Sequence, residues 1–166
     1  MSVRPTWGAA ICSWGKDVEN RTVPIHRGQV GCSGAPVACL LVNSKAAPSR
    51  AELDALAAQR GGQTTPRAAF YAGARGGFAL GAIVGVVVFA GVSEPPGHAT
   101  TATPWRDMTK HGWRVLSVDV FDVPIAARGH QGVLRRIASH HDARRIAAEL
   151  RVRGYEADCT GVADIE

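Results

Sequence analysis

The densest polar chemistry in the chain lies in Trp14-Gly15-Lys16-Asp17-Val18-Glu19-Asn20-Arg21-Thr22. Val18 to Val23 reads as a strand from its β-branching and alternation, and Pro24 closes it. Strand side chains repeat every two residues, so Glu19 and Arg21 fall on one face. Lys16 stands just before the strand, where the chain leaving a helix turns it toward that face. An amine, a carboxylate and a guanidinium then converge at one mouth of the fold. Such a trio can read a polar base edge, hold a phosphate or move a proton. An amine withdrawn from water beside a guanidinium gives up its proton more easily, the usual route to a nucleophilic or basic lysine. In a catalytic version Lys16 is the base or nucleophile, Glu19 the proton shuttle and Arg21 the oxyanion or phosphate stabiliser. The plain alternative is a surface ion-pair cluster of little energy and no function.

Three tryptophans are candidate platforms for a stacked base, worth ~1–3 kcal/mol each where stacking occurs. Trp113 falls within a strand and reads as core. Trp105 lies in a proline-rich loop and is the better candidate, with Trp14 beside the lysine motif. The charge balance suits a phosphate-bearing partner. The chain has 166 residues and a net charge of +5, and arginine dominates its 19 basic residues. Guanidinium groups grip phosphate in two-pronged fashion. Residues 128–153 hold Arg135, Arg136, Arg144, Arg145, Arg151 and Arg153, whereas the last 13 residues carry four acids and no base. Such a run also reads simply as a solvated helix face.

Other chemistries are disfavoured. Cys12, Cys32, Cys39 and Cys159 show no Cys-x-x-Cys spacing, so they read as free thiols in a reducing cytoplasm rather than zinc ligands. His140 and His141 are adjacent and share no face, so no metal site is assigned, and no cofactor. Phe78 to Val92 is uncharged but too short to span a bilayer as a helix. The N-terminus lacks the basic-then-apolar pattern of a secretory signal. The expected setting is therefore cytoplasmic, with no membrane.

The elements that must position these residues follow from pattern. Pro5 to Trp14 reads as a helix, with proline at its start, Trp7, Ile11 and Trp14 at helical spacing, and Gly15 as its stop. His26-Arg27-Gly28 reads as a turn, and Val37 to Val42 as a second strand. Ser49 to Arg60 is the clearest helix: Ser49 and Glu52 form a capping box, Leu53 and Leu56 face inward, and Gly61-Gly62 ends it. Thr65-Pro66 opens an alanine-rich stretch through Ala74. Residues 79–92 read as a buried strand, and 113–123 as an alternating strand ended by Pro124. Gly132 to Ile137 is either a last barrel strand or a helix start. Asp142 to Arg153 reads as a helix, with Asp142 as N-cap and Gly154 as C-cap. Strands and helices do not alternate regularly, which disfavours a doubly wound parallel sheet. The expected class is α+β: a small mixed, partly closed β-barrel with flanking helices.

The lysine motif, with the Trp7 helix before it and Arg27-Gly28 after it, resembles the signature of the ASCH domain (activating signal cointegrator homology) family. Gly81-Ala82-Ile83-Val84-Gly85-Val86-Val87 is similar to that family's central strand, and Trp113-Arg114-Val115-Leu116 to a later one. Pro124-Ile125 with Arg128-Gly129-His130-Gln131-Gly132 resembles its closing segment. The resemblance spans roughly residues 3–137. It implies a PUA-like barrel over residues 1–137, with 138–166 as a helical extension packed on the same domain. It also implies a cleft below the first helix, built from Lys16, Glu19, Arg21, Arg27, Trp14 and Trp105, and an RNA or modified-nucleotide ligand. Some small bacterial members are similar but act as hydrolases, on N4-acetylcytidine or on RNA. In the amidohydrolase type a Thr follows the Lys by three positions and a Glu stands near the end of the central strand. Here Glu19 stands at the first position, and Glu94 is the first later carboxylate. A second departure is Gln29-Val30-Gly31-Cys32-Ser33-Gly34, where the family has an apolar strand ending in His-Ala.

Three functional readings follow. The first is a nucleic-acid or modified-nucleotide binding module. The second is a small hydrolase. The third is a non-catalytic interaction protein that offers its arginine-rich C-terminal segment to an acidic partner.

Overall fold

A computed structural model describes residues 1–25, 34–59, 79–100, 102–127 and 140–155. Arg27 and its turn, the 65–74 stretch and the 132–137 segment lie outside the described residues. Five strands and three helices follow in chain order: β1 (Ser2–Val3), α1 (Pro5–Ser13), β2 (Val18–Arg21), β3 (Gly34–Asn43), α2 (Arg50–Gln59), β4 (Ala82–Glu94), β5 (His111–Ala126) and α3 (His140–Val152).

The strands form one sheet in the order β1-β3-β4-β5-β2. β1 runs parallel to β3, and the other pairings are antiparallel. The class is therefore α+β with a mixed sheet. Slipped registers between β4 and β5 curl it: Ile83 pairs with Ile125 but Gly85 with Val120, and Phe89 pairs with Val115 but Ser93 with Trp113. Extra residues on one strand sharpen its bend and twist. Gly85 permits the tight approach, because a Cβ there would meet the backbone of Asp119 and Val120. The curled sheet makes a half-barrel whose two edge strands, β1 and β2, come together: the Arg21 side chain donates to the Ser2 carbonyl at 2.9 Å.

Pro124 does not end β5. It falls within the slipped stretch, between the partners of Ile83 and Gly85, and the strand continues to Ala126. Proline lacks the N–H that regular pairing needs, and a bulge is one of the few strand positions that tolerates it.

The apolar run Ile83 to Phe89 is continuous because both faces of β4 are covered. Val84, Val87 and Phe89 join Leu41, Trp113 and Ile11 of α1 in one core. Ile83 packs on the other face with Val42, Phe121, Ile125, and Ile146 and Leu150 of α3. Helix α1 is buried almost all round, since Ala9 and Ala10 also meet Leu53 and Leu56 of α2. The Ser49–Glu52 capping box is present, with the Ser49 amide 2.8 Å from Glu52 Oε2 and the Glu52 amide 3.2 Å from Ser49 Oγ. Helix α3 begins at His140, so Asp142 lies inside it and is not its N-cap. Its end is a Schellman turn: Gly154 has φ +83°, its amide donates to Arg151, and the Tyr155 amide donates to Leu150. Among the described residues no helix is long and apolar enough to cross a membrane.

Candidate functional site

Helix α1 delivers the lysine. Its last turn closes with the Trp14 and Lys16 amides both donating to the Ala10 carbonyl, at 3.1 and 3.0 Å. That reversal requires Gly15 at φ +67°, a conformation costly for any residue with a Cβ. Lys16 is thereby turned under the helix, where its side chain is 3% exposed. Its ammonium donates to the Val18 carbonyl and lies 3.0 Å from Glu19 Oε2. The Trp7 ring stands 5.8 Å away, in cation–π range.

Glu19, 7% exposed, sits between two cations. Lys16 holds Oε2, and Arg21 Nε lies 3.2 Å from Oε1. A charge this far from water persists only when paired and hydrogen-bonded. Arg21 spends a second nitrogen on Ser2 and stacks 5.9 Å from the Trp113 ring.

The opposite wall is the loop 95–110. Thr103 Oγ1 donates to Asp17 Oδ1 at 2.7 Å. Asn20 Nδ2 donates to the Trp105 carbonyl at 2.7 Å, and the Asp107 amide donates to Asn20 Oδ1 at 2.9 Å. Arg106 is the loop's hub. Its guanidinium donates to the carbonyls of Asp107, Lys110, Pro95 and His98, and its Nε lies 3.4 Å from Glu94 Oε2. Burial works against the charge on Glu94. Hydrogen bonds from Thr100 and the Arg106 guanidinium outweigh it, and the carboxyl stays below its ordinary range. Asp107 is also held well below the usual carboxylate range, by Lys110 at 2.8 Å and by Thr109.

Between these walls lies a cleft of about 280 Å³. The buried pair Lys16–Glu19 lines it, together with Trp7 and Trp105. Asn20, Arg106, Asp107 and Lys110 complete it. Its volume stands just below the ~300–1,000 Å³ of small-molecule sites.

Of the residues singled out by sequence, Lys16, Glu19 and Trp105 meet at this cleft. Arg21 touches the group but not the cleft. Trp14 is no part of its lining: it packs among Ala9, Leu53, Ala10 and Leu56. Trp113 is core, edge-on to Phe89 at 5.7 Å. Trp7, Asn20, Arg106, Asp107 and Lys110 line the cleft without having been marked as site residues by the sequence. For Asn20 the signal was its place beside Glu19 in a short polar strand, and for Lys110 its place at a strand entrance.

Neither described thiol competes as a nucleophile. Cys12 and Cys39 are half-buried, and burial pushes the Cys12 thiol up to about 11. Among the described residues no cluster of three His, Cys, Asp or Glu side chains could hold a metal ion. No family model matches the chain, and no curated protein matches it.

Proposed function

We propose that the cleft binds a nucleobase, as a modified nucleoside or nucleotide or as one residue of an RNA strand, in an ASCH-type, PUA-like half-barrel. The observation that carries this reading is the buried Lys16–Glu19 pair, 3.0 Å apart, lining a cleft whose wall also includes Trp7 and Trp105. An ammonium has three donors, and Lys16 commits two of them to the Val18 carbonyl and Glu19. The third is left for a ligand. Each Glu19 oxygen holds one cation and keeps acceptor capacity. The pair therefore offers a donor next to an acceptor, which suits the polar edge of a base. The indole rings suit its faces, because every base has a π-face. Lys110 at the rim, partly exposed, suits a phosphate. A cytoplasmic setting, where RNA and free nucleosides occur, belongs to the same reading.

Titration with nucleosides and short RNA at low salt tests it. Binding is expected, with RNA affinity falling steeply as salt rises, and Lys16→Ala is expected to abolish it. Absence of binding to RNA, single-stranded DNA and nucleosides removes the proposal.

A hydrolase is the second reading, favoured by an amine and a carboxylate in contact within a site largely closed to water. Lys16 would act as base or nucleophile and Glu19 as proton shuttle. The Arg21 guanidinium is engaged by Ser2 and Glu19, so it serves this reaction through Glu19. Mass spectrometry of N4-acetylcytidine or RNA after incubation tests this reading. Turnover that survives Lys16→Ala excludes the mechanism.

A further inference from the structure

We infer that Asn20 is a positioning residue: its carboxamide fixes the Trp105–Asp107 segment in the cleft wall, and it acts on a ligand only through Trp105 of that segment. The inference rests on the reading of the cleft as an aromatic-ligand site. Asn20 follows Glu19 in β2, so one four-residue strand supplies both the charge and the clamp. The carboxamide spans the cleft wall by two bonds, to the Trp105 carbonyl at 2.7 Å and from the Asp107 amide at 2.9 Å. A planar group bonded to backbone atoms two residues apart leaves the intervening chain little freedom. The acceptor and one donor are thereby committed to the loop rather than to a bound molecule.

Two further ties act on the same segment. Asp17 holds Thr103, whose hydroxyl receives the Trp105 amide at 3.4 Å. Arg106 gathers four carbonyls of the loop. Trp105 itself is buried against Ala10 and Leu56. The ring therefore stands in place before any ligand arrives. A site whose walls are already ordered spends less of its binding energy on ordering them.

Two measurements decide the point. The first needs no ligand. Hydrogen exchange at the Asp107 amide is expected to speed by about tenfold in Asn20→Ala, with β4 amides unchanged. Unchanged exchange at Asp107 overturns the clamp. The second is a double-mutant cycle with adenosine and cytidine as probes. Asn20→Ala is expected to weaken binding about tenfold with Trp105 present, the order of a lost stack, and less than about twofold in a Trp105→Leu background. Equal loss in both backgrounds means that Asn20 touches the ligand directly, which overturns the inference. Asn20→Ser, whose hydroxyl is too short to span the two backbone atoms, gives the same readouts should the alanine variant not fold. If wild-type protein binds neither nucleoside and no RNA or single-stranded DNA, the proposed function falls while the exchange measurement still decides the clamp.

Discussion

The Arg21 guanidinium donates to the Ser2 carbonyl at 2.9 Å, joining the two outermost strands of the sheet through a side chain rather than a backbone ladder. The same guanidinium sits 3.2 Å from Glu19. One residue therefore takes part both in closing the half-barrel and, with Lys16, in orienting the buried carboxylate. Arg21→Ala is expected to lower stability by about 1.5–3 kcal/mol, the usual worth of a hydrogen bond made by a charged group. Arg21→Lys restores a charge but not the two-pronged reach, so it recovers only part of the loss. Urea unfolding of the three proteins checks this. An unchanged midpoint in Arg21→Ala would mean that the contact adds nothing to closure.

The Lys16–Glu19 pair separates folding from function. Lys16→Met leaves a carboxylate buried with one cation, and the expected cost is about 3–5 kcal/mol. Lys16→Met with Glu19→Leu removes both charges and is expected to recover most of it, since an apolar pair often matches a buried ion pair. The double variant is expected to fold and to bind no nucleoside. Thermal unfolding with ligand titration reads both. A stable double variant that still binds would separate the pair from ligand recognition.

The sequence made legible what depends on neighbours in the chain. The proline and aromatic spacing of α1, the Ser49–Glu52 box and the Gly154 end of α3 are local devices, and each is present. The two-residue strand repeat brings Glu19 and Arg21 together, and a glycine at positive φ turns Lys16 toward them. A mixed, partly closed barrel was legible in outline, but the register slips that curl the sheet were not. Alternation along β5 breaks where Phe89 pairs with Val115 and Val88 with Ser117, so Leu116 is extra, and Val115 and Val118 both pack toward the same core. Nothing local announces that slip. Trp7 and Trp14 both read as helix residues, yet Trp7 lines the cleft and Trp14 packs on α2. Which ring faces the cleft depends on where the 95–110 loop runs. That loop is fixed by Asn20 and by Arg106 bonding to carbonyls, a pattern that residue types alone do not encode.

Gly15 gives a prediction about backbone alone. At φ +67° nothing lies within 4 Å of a Cβ placed there, so Gly15→Ala meets strain but no clash. The expected loss is about 1 kcal/mol. Gly154 has φ +83° and equally open surroundings, so Gly154→Ala should cost about the same. The two differ in consequence. Gly15 aims Lys16, so its variant is expected to weaken nucleoside binding, whereas the Gly154 variant leaves binding unchanged. Equal binding by both would show that Lys16 does not depend on the turn.

Acid should open the cleft wall before it unfolds the sheet. Glu94 and Asp107 are both held below the ordinary carboxylate range, and both act on the 95–110 loop. A carboxylate with a lowered folded value binds its proton less readily in the folded state than in the unfolded one. Its contribution is complete above the unfolded value, about 4.3 for Glu and 3.9 for Asp, and is lost as pH falls toward the folded value. Protonated Glu94 no longer attracts Arg106 as an ion, and the hub loosens. Trp105 emission is then expected to shift to the red below about pH 4, while far-ultraviolet dichroism persists. Glu94→Gln should produce the loosened loop already at neutral pH and remove part of the acid dependence. A single coincident transition by both probes, unchanged in Glu94→Gln, would show that the loop and the sheet melt as one unit.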